Sequence, residues 1–327
     1  MNYQTYLTKI KNELQAKMGD GYSISITNVK KNNGIDFLGI CITDKEHNLS
    51  PVFYLDDQFK EDKDAGNEMR ISETVGDILR LYYDQGKTAQ MDLGLLKSYA
   101  NLRDKVLFRL VNHEKNKEVL SDIPHKLYYD LAMVFYLDIP NKIFESGSIL
   151  LNNSHLETWG VTAEEVFTDA YRNTPKLLPA VTQSMAEVMR EILEFRIYKK
   201  YGEDESVKKI VNGYFEDEYG IVSENEMSDG KRSKMYVASN ATKTYGAAVF
   251  FYPGFIKDFA EKVDADLYIF PSSVHEIIIA PATKEHNRKE LIKMVCEVNA
   301  SKVAPDEVLA DTVYYYDRAV DVIEIIN

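Results

Sequence analysis

Residues Ser272 to Glu276 read Ser-Ser-Val-His-Glu and bring hydroxyl, imidazole and carboxylate groups together within five positions. A serine hydrolase needs its nucleophile on one imidazole nitrogen and its acid on the other. The flanking runs Leu267–Phe270 and Val274–Ala280 are β-branched and aromatic, which predicts a hairpin turning at Pro271-Ser272-Ser273. On such a strand Ser273 and His275 project to one face and Glu276 to the other, a poor arrangement for a triad. The spacing therefore predicts polar groups satisfied at a hairpin end, with His275 largely buried and hydrogen-bonded from a neighbouring strand or turn, and Ser272 exposed. Ser272, Ser273, His275 and Glu276 remain the only local nucleus for catalysis.

Other chemistry is sparser. His47, His113, His125, His155, His275 and His286 are scattered without HxxxH or HExxH spacing, and no CxxC pair occurs, so no metal site is expected. The acidic stretch from Asp56 to Glu68 lacks the glycine and glutamate positions of a calcium loop and reads as a solvated loop. Neither a phosphate loop, nor GxGxxG, nor GxSxG is present, and no cofactor is expected. Glu164-Glu165 has a sufficient explanation in the first turn of a helix.

These residues must be positioned by a chain of 327 residues, 45% hydrophobic and 28% charged, which suits two modules or one large α+β domain. A net charge of −13 opposes nucleic-acid backbones and anionic membranes, so neither is an expected partner. Cys41 and Cys296 sit in apolar runs and predict buried free thiols. With no apolar signal segment among the first residues and no membrane-length stretch, the expected location is the cytoplasm.

Apolar positions at Tyr3, Tyr6, Leu7, Ile10 and Leu14 predict a helix ended near Gly19. Alternation from Tyr22 predicts a strand turning at Asn33-Gly34 into Ile35–Thr43, then a third strand at Pro51–Leu55 and a helix through Ile71–Tyr82. Val106–Val111, Tyr128–Ile139 and Ser148–Asn152 read as strands, and Thr162 with Glu165 as a capping box. Val181, Met185, Val188, Ile192 and Phe195 mark a long helix ended by Tyr201-Gly202, and a shorter one follows through Val207–Phe215. Ser223–Ser233 is a loop candidate. The run Tyr245–Pro281 reads as strand (Ala247–Tyr252), helix and hairpin, followed by a helix over Arg288–Asn299 and strands from Thr312 to Ile326 turning at Asp317-Arg318. The expected class is α+β with mixed or antiparallel sheets, divided into residues 1–200 and 201–327. Two related hairpin-plus-helix halves are one way to account for the repeated order from Asp130 and from Asp266. Among 22 tyrosines, the run Tyr314–Tyr316 must turn alternate members outward, toward a hydroxyl partner or a binding surface.

The strings KNNGIDFLGICI from Lys31, NLSPVFYLDD from Asn48, IPHKLYYDLAMVFYLDI from Ile123, SILLNNSHLETWGVTAEEVF from Ser148, FPSSVHEIIIAP from Phe270 and VYYYDR from Val313 carry a resemblance over nearly the whole chain. They resemble a bacterial domain-of-unknown-function family common in clostridia. The resemblance implies no activity and assigns no catalytic residue. Two functional expectations follow from the residues themselves: a cytoplasmic, non-enzymatic protein that binds another protein, or a hydrolase or transferase with a site built around Ser272, Ser273, His275 and Glu276.

Overall fold

The computed structural model describes residues 1–44, 50–64, 70–85, 95–139, 147–202, 204–219, 235–283 and 287–326. In chain order these form α1 (Tyr3–Met18), β1 (Tyr22–Lys30), β2 (Asp36–Asp44), β3 (Val52–Tyr54), α2 (Asp56–Asp64), α3 (Ile71–Gln85), β4 (Val106–Asn112), α4 (Lys117–Leu120), β5 (His125–Tyr128), β6 (Leu131–Ile139) and β7 (Gly147–Leu150). Then come α5 (Asn153–Trp159), α6 (Ala163–Leu177), β8 (Ala180–Ser184), α7 (Met185–Tyr201), α8 (Glu205–Tyr219), β9 (Tyr236–Asn240), α9 (Phe255–Val263), β10 (Leu267–Phe270), β11 (Ile277–Pro281), α10 (Arg288–Lys302), β12 (Val313–Asp317) and β13 (Val322–Ile326). The class is α+β. Ser223–Ser233, His47 and His286 lie outside the described residues.

Packing divides the chain into two compact units, the first made of Met1–Leu107, Lys115–Pro124 and Phe135–Ala170, the second of Phe108–Glu114, His125–Val134 and Tyr171–Asn327. In the first unit Asn2 caps α1 by accepting the Thr5 N–H at 2.9 Å, and Gly19 ends it with a φ of 77°. The apolar stripe Tyr6, Leu7, Ile10 and Leu14 is fully buried against Ile24, Ile40 and Ile42 of the antiparallel β1-β2-β3 sheet and against Val75, Ile78 and Tyr82 of α3. The expected solvated loop after Asp56 is instead helix α2 as far as Asp64; the remainder of that stretch, 65–68, is outside the described residues. Composition hid two inward side chains. Phe59 packs on the rings of Tyr3 and Tyr6, and the Asp62 carboxylate, 1% exposed, accepts from Arg70 Nε at 3.0 Å and Nη2 at 2.8 Å.

Elsewhere in this unit, Thr162 and Glu165 form the expected reciprocal cap: the Glu165 carboxylate accepts the Thr162 N–H at 2.8 Å and Thr162 Oγ1 accepts the Glu165 N–H at 3.2 Å. Asn152 and His155 make a second such box at α5, with Nδ1 of His155 accepting from the Asn152 amide at 3.1 Å.

The second unit is built on a six-stranded antiparallel sheet in the order β13-β12-β10-β11-β9-β8. Tyr268, Phe270, Ala280 and Val313 from this sheet pack with Val295 of α10. The single strand expected over Tyr128–Ile139 is a hairpin whose turn is Tyr129-Asp130, with Tyr128 opposite Leu131. Tyr129 takes a φ of 57°, and Asp130 holds the turn by accepting hydroxyls from Thr312 at 2.5 Å and from Tyr314. A long tyrosine in a left-handed turn carries no sequence signal.

Two further boundaries move. The strand expected at Ala247–Tyr252 is a 3₁₀ segment, Gly246–Phe251, whose first five residues are all buried. Burial on every side erases the periodicity that distinguishes helix from strand. The helix expected from Val181 starts only at Met185, because Ala180–Ser184 pairs with β9 and Ser184 then caps α7 through Glu187. The thiols also differ from expectation: Cys41 is half-buried and Cys296 is exposed on the outer side of α10.

Candidate functional site

The hairpin of β10 and β11 forms, yet its connection is longer than predicted. Phe270 pairs with Ile278, which leaves Pro271 to Glu276 between the strands. His275 and Glu276 are therefore outside the strand, and the alternating-face argument does not apply to them. Backbone bonds tie the connection down: Val274 donates to Glu307 O at 2.9 Å, while Leu309 and Ala310 donate to Ser272 O and Pro271 O, each at 2.9 Å. Ser272, expected exposed, is 7% exposed because this second segment covers it, and Ser273 is 4% exposed.

His275 is held on three sides. Its Nδ1 accepts the Tyr245 backbone N–H at 3.3 Å, which places the proton of the neutral ring on Nε2. That nitrogen faces Glu307 Oε1 at 3.5 Å. The ring stacks on Tyr245 at 5.8 Å and 12°, and the Arg109 guanidinium lies 4.2 Å from the other ring's centroid. The expected imidazole anchored by a neighbouring turn is present, although its side chain is 29% exposed.

Neither nitrogen of His275 meets a serine. Ser273 Oγ accepts the backbone N–H of His275 at 3.0 Å and hydrogen-bonds Glu276, while the His275 carbonyl accepts from Ser239 Oγ at 2.7 Å. Burial pushes the Glu276 carboxyl above its ordinary range, against the lowering influence of nearby His275 and of the Ser273 hydrogen bond. The structure brings Ser273, His275 and Glu276 together and adds Arg109, Tyr245 and Glu307 from distant parts of the sequence. No spacing rule could have found those three. One signal was legible in retrospect: Tyr245 precedes a glycine and takes a φ of 52°, and at Gly246 a Cβ would lie 1.9 Å from Ser239 Oγ and 2.4 Å from the His275 carbonyl oxygen.

Among the described residues no group of three His, Cys, Asp or Glu side chains is placed to hold a metal. The tyrosine run finds carboxylates: Tyr315 donates to Asp266 and Tyr316 to Asp321, each at 2.7 Å, and Tyr314 donates to Asp130. Tyr99 with Asp169 and Tyr3 with Asp56, both at 3.0 Å, repeat the pairing in the first unit.

A different surface stands out on α7, which contains no buried residue. The side carrying Arg190 meets α8 through a 2.5 Å bond to Asn212. Met185, Val188, Met189, Ile192 and Phe195 occupy another arc, spanning about 120° of the helix circumference at 3.6 residues per turn. Met189, Ile192 and Phe195 are 41%, 47% and 68% exposed. Of the apolar positions that reveal this helix in the sequence, Ile192 and Phe195 are turned outward, while Met185 and Val188 are half-buried.

A sequence model of a family of unknown function matches residues 3–318. The chain belongs to DUF5688. The match runs through the Ser272–Glu276 connection and through α7, so both features lie within the DUF5688 region. No curated protein and no solved structure shows significant similarity to the chain. No helix among the described residues is long and apolar enough to cross a membrane.

Proposed function

We propose that this DUF5688 protein works by binding another protein, as a regulatory or scaffolding component, and not by catalysis. The observation that carries the reading is the outward apolar arc of α7, where contiguous exposed apolar surface marks an interaction site. The Ser-His string supports it from the other side. A hydrolase or transferase built on His275 needs one ring nitrogen aimed at a nucleophile, and here the two face a backbone amide and Glu307.

Capture from host cells tests the reading. The wild-type chain is expected to retain a protein, either a second copy or another chain, that Ile192→Asp/Phe195→Asp loses while Ser272→Ala retains it. Equal retention by all three chains contradicts it.

A further inference from the structure

We propose that His155 is an acid-sensitive clasp: protonation of its Nδ1 opens the first turn of α5 and lifts the imidazole off Trp159. The inference is independent of the α7 face and of the Ser272–Glu276 connection. A capping box is ordinarily closed by a Glu or Gln side chain at its third helical position, a group that accepts at neutral pH. Here that position holds a histidine. Asn152 Oδ1 accepts the His155 N–H at 2.9 Å, and Nδ1 of His155 accepts the Asn152 N–H at 3.1 Å. The neutral ring therefore carries its proton on Nε2. A second proton can go only to Nδ1, where two N–H groups would then face each other at hydrogen-bond distance. The ring has to leave.

The imidazole also stacks on Trp159, with ring centroids 5.4 Å apart and planes 15° from parallel. Trp159 is itself fixed, because its Nε1 donates to Leu96 O at 2.6 Å and its ring meets that of Tyr99 at 5.7 Å. The clasp thus joins the first turn of α5 to the segment 95–101 through one indole.

Neighbouring charge does not hold a proton on the ring. Glu157 of the same helix lies about 200° around it from His155. Asp122, at the end of α4, contributes its backbone carbonyl to the Asn153 N–H at 3.0 Å. Beyond Trp159, the Tyr99 hydroxyl donates to Asp169, whose charge Arg103 answers at 3.2 Å. Among the described residues no carboxylate raises the imidazole, and burial lowers it below the ordinary 6.5. An imidazolium gains a cation–π attraction to the indole, yet that attraction does not relieve the clash at Nδ1. The closed clasp is neutral and the open one titrates as a free histidine. Opening therefore grows by up to about tenfold per pH unit as pH falls below 6.5, and levels off beneath the folded value.

Trp159 is the single tryptophan of the chain, so its emission reports the clasp. Titration of the full chain from about pH 8 to about pH 5 is expected to move that emission to longer wavelength as the indole face meets water. Hydrogen exchange of the Asn152 amide should accelerate beyond its intrinsic pH dependence, while far-ultraviolet circular dichroism stays constant. His155→Gln, whose amide oxygen closes the box without titrating, should show neither change. Quenching at an unchanged wavelength, the mark of an imidazolium still stacked on the indole, overturns the proposal. A spectrum constant over the range, a shift of equal size in His155→Gln, or a shift that coincides with loss of the whole fold overturns it as well.

Discussion

The backbone N–H of Tyr245 donates to Nδ1 of His275 at 3.3 Å, across 30 positions of sequence. That bond fixes the tautomer, stacks the two rings and joins the 3₁₀ segment to the β10–β11 connection. His275→Ala should leave the amide short of its acceptor and cost about 1 kcal/mol, the low end of the range for a lost partner because the imidazole is partly exposed. His275→Asn, whose Oδ1 can take the place of Nδ1, should recover part of the loss. Urea unfolding of the three chains checks this, and equal stability of wild type and His275→Ala would refute the anchoring role.

Glu276 should leave a mark on the pH dependence of stability. Its folded carboxyl is raised above the ordinary 4.5, so between those two values the native state holds more protons than the unfolded one. Stability from this group is therefore greatest at low pH and declines as pH rises through the folded value. Glu276→Gln should be at least as stable as wild type at pH 7 and lose that advantage below 4.5. Unfolding titrations at the two pH values measure the difference, and a variant less stable at pH 7 than at low pH, relative to wild type, would contradict it.

The tyrosine–aspartate pairs make an alkaline prediction. Burial, with an aspartate beside each hydroxyl, pushes Tyr315 and Tyr316 up to about 12 and raises Tyr3, Tyr82, Tyr99 and Tyr314 as well. The folded phenols hold their protons more tightly than the unfolded ones, so this stabilisation is complete below pH 10 and is lost as pH rises through the folded values. Phenolate absorbance should show these tyrosines silent near pH 10 and ionising together with alkaline unfolding. Smooth titration of all 22 tyrosines near 10 would contradict the pairing.

Gly246→Ala should be severely destabilising. The added methyl would stand 2.4 Å from the His275 carbonyl oxygen and 2.7 Å from the Asn240 nitrogen, both backbone atoms that cannot swing aside. A cost of about 3 kcal/mol or more is expected from such overpacking. Thermal melts of Gly246→Ala beside Gly213→Ala, where a Cβ meets nothing within 4 Å, provide the comparison.

Much of the fold was legible where one face of an element is buried and the other is wet. Tyr3–Leu14, the alternation from Tyr22 and the Thr162-Glu165 cap each declared their element because local chemistry and burial agree there. Legibility failed where burial is uniform, as at Gly246–Phe250, or where tertiary bonds hold an unfavourable backbone, as at Tyr129. It failed for the candidate site because Arg109, Tyr245 and Glu307 reach His275 only through topology. The periodicity from Val181 to Phe195 located α7 but began it one turn early, in β8, and periodicity reports that a face is apolar without reporting what covers it.

Complementation of a host strain lacking the chain tests the central claim most directly, with melting temperatures recorded for each variant. Ile192→Asp/Phe195→Asp is predicted to abolish function at an unchanged melting temperature, while Glu276→Gln and Ser272→Ala complement. Full complementation by the α7 variant, together with loss of function in Glu276→Gln at an unchanged melting temperature, would contradict the account.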